Sequence, residues 1–409
     1  MRIALVYDCL YPHTVGGAER WYRNLGERLA REHEITYVTR RQWGEEGPGT
    51  PFATVAVAPG GDLYTRSGRR RICPPLRFGW GVFRHLLRHG RRYDAVHTAS
   101  FPYFSVLAAA AALRLRRSRA VLVVDWHELW TREYWRSYIG PIAGPIGYAV
   151  QALCLRLAGR SFCFSRGVEG RLLAAGAGRD GRRSGTAARA GRQVVRLTGE
   201  YAGPRAGGAE PRTEIPATPL VVFAGRHIPE KHVTAIPAAV AAARRELPEL
   251  RGAILGDGPE TDAVRAAVAE LGLDRAVEVR GRVEGAEVER TIAAASCLLH
   301  PSEREGYGLV VVEAAYLGTP AIVVAGSENA ATELVEDGVN GFVAATREPE
   351  ELARAILAAV RGGGELRRST REWYERNREP LSIESSLELV EASYPSAAGG
   401  GSASAGGSP

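Results

Sequence analysis

The sequence predicts an α/β protein of two Rossmann-like domains facing across a cleft. Short β-branched runs alternate with longer helical patterns, and that alternation starts afresh halfway along the chain. Length agrees, since 409 residues exceed one ordinary domain and suffice for two cores. In the first half, Ile3 to Tyr7 leads through a Gly-rich loop into the helical pattern Glu19 to Arg31. Strand-like runs follow at Ile35 to Val38, Ala95 to His97 and Val121 to Val124. The pattern restarts at Leu220 to Gly225 and continues through Ala253 to Gly256, Val277 to Val279, Cys297 to Leu299 and Ala321 to Val324. The expected divisions are an N-terminal domain over 1–203 and a linker over 204–218, punctuated by Pro204, Gly207, Gly208, Pro211 and Pro216. A second domain over 219–368 follows, then a helical segment over 369–395 that packs back on the first domain. Two stretches lack hydrophobic periodicity: 175–192 reads as a loop or partly disordered insertion, and the Gly/Ser/Ala-rich 396–409 as a disordered tail.

Composition narrows the class. An apolar share of 45% and a charged share of 24% are those of a soluble globular protein. Five cysteines, odd in number and without a C-x-x-C pair, argue against a disulfide framework or a zinc site and suit a reducing compartment. The N-terminus enters a strand-like run without the basic stretch and apolar core of a signal peptide, so a cytoplasmic location is expected. The longest apolar region, Ile139 to Ala158, is interrupted by Gly140, Pro141, Gly144, Pro145 and Gly147 and carries Arg156. It reads as a core helix and not as a membrane span.

Charge is uneven. Residues 1–200 hold 32 Arg against 15 acids, and the excess of acids lies in the second half. Between Arg66 and Arg92 there are nine Arg, two His and no acid, interleaved with Leu76, Phe78, Trp80, Val82 and Leu86. That segment, 66–92, suits peripheral contact with an anionic membrane at its inner face, a grip on an anionic acceptor, or a core-facing helix whose Arg side chains are simply solvated. A nucleic-acid-binding role for the basic half is a third class of function. No binding module supports it, the best-formed motifs lie in the acidic half, and no nucleic-acid partner is expected.

The strongest block runs from His300 to Ala315. A Gly306-Tyr307-Gly308-Leu309 turn feeding a helix would set free N–H groups and a positive dipole end where a diphosphate could sit. Glu305 stands in the loop before that helix and Glu313 two turns along it, so the two carboxylates could serve separate ends of one extended ligand. By spacing alone they could equally be a solvated helix face. A second segment, Gly225-Arg226 followed by Glu230-Lys231, comes after a strand. Of 53 basic residues, 52 are Arg and the one Lys is Lys231, which favours a function for it over a surface cation.

These motifs resemble family-4 retaining glycosyltransferases of the GT-B fold. Glu305 and Glu313 look like that family's E-x7-E motif, with Tyr307 where Phe is commoner. Gly225, Arg226, Glu230 and Lys231 look like its G-R-x-x-x-E-K-G segment, with His232 in place of the last Gly. Gly256 opens a G-x-G-P-like turn, and Arg280 and Arg282 stand in the segment whose backbone brackets the base. Gly16 and Gly17 resemble the glycine loop after the first strand, and His127 with Glu128 the His-acid pair. The resemblance is strongest over 220–345; the stretch 175–215 lacks the family's P-N-G-V-D signature.

The resemblance implies transfer, with retention, from a nucleoside diphosphate sugar to a polysaccharide, lipid-linked or small-molecule acceptor. Arg226, Lys231 and the amides around Gly308 and Leu309 would meet the leaving diphosphate. Glu305 would orient sugar hydroxyls, Glu313 would accept from the ribose, and His127 would position the sugar. No D-x-D metal motif occurs, so no essential metal and no further cofactor are expected; a uridine donor is favoured. A sugar-nucleotide epimerase or phosphorylase on a similar fold is the alternative, since fold does not separate these chemistries.

Overall fold

The structure, a computed structural model, describes residues 1–63, 71–177 and 193–395. Most of the stretch expected as a loop (178–192), the tail 396–409 and the start of the basic segment (66–70) lie outside the described residues. The first sheet has seven parallel strands: β1 (Arg2–Val6), β2 (Glu34–Arg40), β3 (Ala53–Ala58), β4 (Ala95–Ala99), β5 (Val121–Trp126), β6 (Arg160–Cys163) and β7 (Gln193–Arg196), ordered 3-2-1-4-5-6-7. Its helices are α1 (Gly17–Leu29), α2 (Cys73–His89), α3 (Phe104–Leu115), α4 (Arg132–Ile139), α5 (Ala143–Leu157) and α6 (Arg166–Ala174).

The second sheet has six parallel strands: β8 (Leu220–Ala224), β9 (Arg251–Leu255), β10 (Val277–Gly281), β11 (Cys297–His300), β12 (Ala321–Val324) and β13 (Gly341–Ala344), ordered 10-9-8-11-12-13. Helices α7 (Ala235–Arg244), α8 (Thr261–Glu270), α9 (Gly285–Ala293) and α10 (Leu309–Tyr316) connect them. Central strands such as β4, β11 and β12 are buried along their whole length, because helices cover both faces of a parallel sheet. In each sheet the strand order reverses beside its first strand, next to β4 in one and β11 in the other. Ligand crevices of open α/β sheets form beyond the strand ends at such points.

The chain crosses between the halves through α11 (Pro349–Leu381), which changes direction at Gly363, where φ is +49°. Before the bend Leu352 and Ile356 pack in the second domain's core; after it Trp373 and Leu381 join a cluster shared with Ile3, Leu5 and Trp21 of the first. Then α12 (Ile383–Ser393) lies on the N-terminal half, with Arg28 bonded to Glu384 at 2.8 Å and the Tyr394 hydroxyl to Nδ1 of His97 at 2.7 Å. The apolar stretch Ile139 to Ala158 departs from the core helix expected of it. It makes the turn after α4 and then α5, which is only half a core helix: Cys154 and Leu155 pack in the first domain's core, while Ile142 is 83% and Ile146 63% exposed near its start. Among the described residues no helix is long and apolar enough to cross a membrane.

Candidate functional site

Loops after β8 and β11 bring the sequence's rarest cation to its most distinctive carboxylate. Lys231 ends a short 3-10 turn, Pro229–Lys231, and its Nζ donates to Oε1 of Glu305, which His300 Nε2 also contacts. Both side chains are largely buried, with 15% and 11% exposure. Burial opposes ionisation of Glu305, but the Lys231 ammonium and His300 overcome it and hold the carboxyl below its ordinary range. The backbone of Glu305 is fixed from the far side, its N–H donating to the Glu328 carbonyl at 3.1 Å and its C=O accepting from Ala330 N–H at 3.1 Å. His232, standing where a glycine was expected, has φ +48° and ψ +42°. The loop keeps the left-handed turn that a glycine would adopt freely, and the His232 ring reaches Glu303 at 3.0 Å.

Glu313 lies on α10, buried, and Oε1 accepts from Arg20 of α1 at 2.6 Å and from Arg205 at 2.8 Å. Burial raises its pKa, and the two guanidinium groups more than reverse that. Arg205 is itself held by Glu289 of α9, at 2.9 Å through its side chain and 3.1 Å through its N–H. Gly16 caps α1 in extended conformation with the buried Glu19 carboxylate against it, and nothing lies within 4 Å of where a Cβ on Gly17 would be, so the helix start is open at Gly17.

Around the Gly-Tyr-Gly turn the packing is close. A Cβ on Gly306 would come 2.8 Å from the His127 carbonyl oxygen, so that glycine lets the second domain's loop touch the first. Tyr307 is buried, and its hydroxyl donates to the Thr198 carbonyl at 2.9 Å, a contact that phenylalanine could not make. Gly308, with φ +102°, caps α10, so the amides of Leu309 and its successor head that helix. The His127 ring lies flat on Phe164, centroids 4.5 Å apart. Its Nδ1 is 3.9 Å from Oε1 of Glu200. Burial lowers the His127 pKa against the pull of Asp125, which favours neutral imidazole.

Three glycines line the ends of β8, β9 and β10. Gly256 has φ +122°, and a Cβ there would sit 1.8 Å from the Gly225 oxygen; its N–H donates to the Gly281 carbonyl at 2.7 Å. Arg226 follows β8 and is exposed. Arg282 is exposed and close enough to Asp257 to favour its ionised form. Arg280 turns to the surface, where Glu278 at 2.8 Å and Glu287 at 3.5 Å hold it. With the side chain paired there, only the backbone of Arg280 is left to the crevice rim. Among the described residues no group of three or more His, Cys, Asp or Glu is arranged to hold a metal ion.

Sequence reasoning missed four contributors. Arg205 sits in the Pro/Gly-rich linker, where nothing distinguishes one Arg among 52. Arg20 follows Gly16 and Gly17 on α1, with nothing in the sequence to mark it for the cleft. Glu200 stands where the linker signature is missing, so no pattern pointed to it. Arg304, next to Glu305, crosses the cleft to Glu128 at 3.2 Å and lies 3.5 Å over the Tyr134 ring. Together with Glu333, which accepts from the Arg166 and Gly167 amides that start α6, it ties the two halves.

Two facing parallel-sheet domains with paired carboxylates, a lysine and a glycine-lined crevice between them define the GT-B class of sugar-transferring proteins. Family models agree along the chain: "Glycosyltransferase Family 4" matches residues 15–180 and "Glycosyl transferases group 1" residues 210–378. The chain belongs to the family-4 glycosyltransferases of the GT-B fold. A curated relative, D-inositol 3-phosphate glycosyltransferase of a Nocardioides strain, is 34% identical over 156 residues, 34% of each chain; the match thus spans about a third of that relative's length. Among solved structures, sucrose-phosphate synthase from Thermosynechococcus elongatus superposes with a TM-score of 0.71 at 20% identity, covering 96% of this chain and 97% of that one. Anabaena HepE, solved in complex with UDP and glucose, gives 0.67 at 18% identity over 96% and 99%. These two likenesses show the fold.

Proposed function

We propose that the protein transfers a sugar from a nucleoside diphosphate sugar to an acceptor hydroxyl, with retention at the anomeric carbon. In the step, the bond from the anomeric carbon to the diphosphate oxygen breaks, a bond to the acceptor oxygen forms on the same face, and the acceptor's proton passes to the departing diphosphate oxygen. The observation that carries the reading is the meeting of Lys231 with Glu305, heading the crevice of Gly225, Gly256 and Gly281 and facing His127. Charge grows on the diphosphate as it departs. Lys231 and the α10 amides are fixed before the reaction, so their stabilisation costs no reorganisation at the transition state, and Arg226 adds a cation from the exposed rim. These cations do what a divalent ion would otherwise do, and the reaction needs no metal.

Glu305 orients sugar hydroxyls, Glu313 accepts from the ribose, and backbone at 280–283 brackets the base. A uridine donor is favoured, in keeping with HepE, solved with UDP and glucose. The protein works at the cytoplasmic face of the membrane, where α2 provides a contact. Phe78, Val82 and Leu86 of α2 face the core, while Ile72, Leu76 and Trp80 are exposed beside Arg77, Arg84 and Arg88. Titration with UDP, GDP and ADP and their sugar conjugates, followed by product analysis of the anomeric configuration, tests the reading. Binding of none of them would overturn it, and an inverted product would overturn retention.

A further inference from the structure

The cleft holds one buried carboxyl that the nucleotide, the diphosphate and the structural ion pairs leave unused. Glu200 follows β7 and is 4% exposed. Its neighbours are clamped from behind. The Thr198 carbonyl accepts from Tyr307, Gly199 N–H donates to Oγ of Ser386 at 3.0 Å, and Tyr201 exchanges backbone hydrogen bonds with Leu381 and Ile383 at 3.1 and 3.0 Å. A methyl group on Gly199 would lie 2.0 Å from the Ser382 carbonyl oxygen, so α12 presses on this turn. Yet Oε1 of Glu200 is buried without a hydrogen-bond partner, and so is Nε2 of His127 beside it. Buried polar atoms are nearly always satisfied, and these two, adjacent and on fixed supports, are placed to share one polar ligand group.

Resting on the donor reading above, we infer that Glu200, beside His127, binds a hydroxyl group of the sugar being transferred, its carboxyl acting as hydrogen-bond donor. The groups facing Glu200 agree. Burial, Asp125 of β5 and Glu305 of the loop before α10 all favour the protonated form, Arg20 of α1 opposes it, and the net effect raises the pKa to about 8. Tyr307 and His127, the remaining neighbours, are both favoured neutral. A protonated carboxyl both donates and accepts, as a sugar hydroxyl does, and it adds no negative charge beside the diphosphate.

The experiment is calorimetric titration with UDP, UDP-glucose, UDP-galactose and UDP-N-acetylglucosamine. Wild type is expected to bind at least one UDP-sugar more tightly than UDP at pH 7, and to lose that increment at pH 9. Glu200→Ala should bind UDP as wild type does and bind that sugar conjugate no better than UDP, a loss of about tenfold. Glu200→Gln, which keeps an N–H donor, should retain most of the increment at both pH values. Three results would overturn the inference while leaving the donor reading intact. They are equal weakening of UDP and UDP-sugar in Glu200→Ala, an undiminished increment in that variant, or a wild type that gains nothing from any of the three sugars. A wild type that fails to bind UDP at all overturns the uridine reading and the inference with it.

Discussion

Replacing Lys231 with Ala removes the ammonium from one side of Glu305 and leaves that buried carboxylate to His300 alone. Two losses follow from one substitution. In the reaction, a fixed cation facing the departing diphosphate is gone, which should lower turnover on the order of 100-fold, or about 3 kcal/mol. In folding, removing one partner of a buried pair strands the other, at roughly 3 kcal/mol. The sign with pH separates this from a general packing loss. The carboxyl of Glu305 is held below its ordinary range in the folded chain, so its contribution is complete above the unfolded value of 4.5 and is lost as pH falls through the folded one. The gap in melting temperature between wild type and Lys231→Ala should therefore be large at pH 7 and narrow below about pH 4. Turnover with a UDP-sugar and thermal unfolding at pH 7 and pH 3.5 measure both. A variant with wild-type turnover, or a melting gap that stays constant with pH, would refute the pairing as described.

Glu313→Ala should weaken UDP binding, whereas Glu305→Ala should leave UDP affinity nearly intact and depress turnover; equal, wild-type behaviour in both would remove them from the donor site. His232→Gly should stabilise the fold by about 0.5 kcal/mol in denaturant titration, because relief of the left-handed turn outweighs a rim contact to Glu303; destabilisation would mean that contact dominates. Binding to anionic vesicles should be measurable by sedimentation at low salt and fall at high salt, since each Arg near such a surface is worth about 1 kcal/mol and is screened. Absence of binding at low salt would leave α2 as a solvated helix.

The two domains were legible because parallel strands buried on both faces write themselves as apolar runs, as at Leu220 to Ala224 and Ala321 to Val324. Glu305 and Lys231 were legible because one lies in a long motif and the other is the chain's single lysine. Their mutual contact was not, since it joins loops 74 residues apart. Arg205 and Glu200 were invisible for a different reason. Each owes its place to α9, α11 or α12 packing on the segment between the domains, and a segment of glycines and prolines carries no periodicity that would report such packing. Helix α5 was legible only in part, because hydropathy alone does not separate a helix buried all round from one that buries Cys154 and Leu155 but leaves Ile142 and Ile146 at the surface.

On the donor reading proposed above, the cleft must resolve a conflict that any diphosphate site faces: cations must be held firmly, yet the carboxylates that hold them repel the ligand. Here Arg20 and Arg205 converge on the one carboxylate of Glu313, and Glu289 anchors Arg205 from the side. Lys231 leans on Glu305, and the proposal assigns the other ammonium hydrogens of its three to the diphosphate. Arg226 is exposed at the rim. A further ionised carboxylate at Glu200 would offset part of that positive field, and burial next to Asp125 and Glu305 keeps it protonated near neutral pH. The acids thus divide by environment. Those touching a cation stay charged and orient it, and the one lacking such a partner stays neutral beside the position assigned to the sugar. On the proposed reading, that division would give the donor a net positive approach without sacrificing the carboxylates that fix the cations.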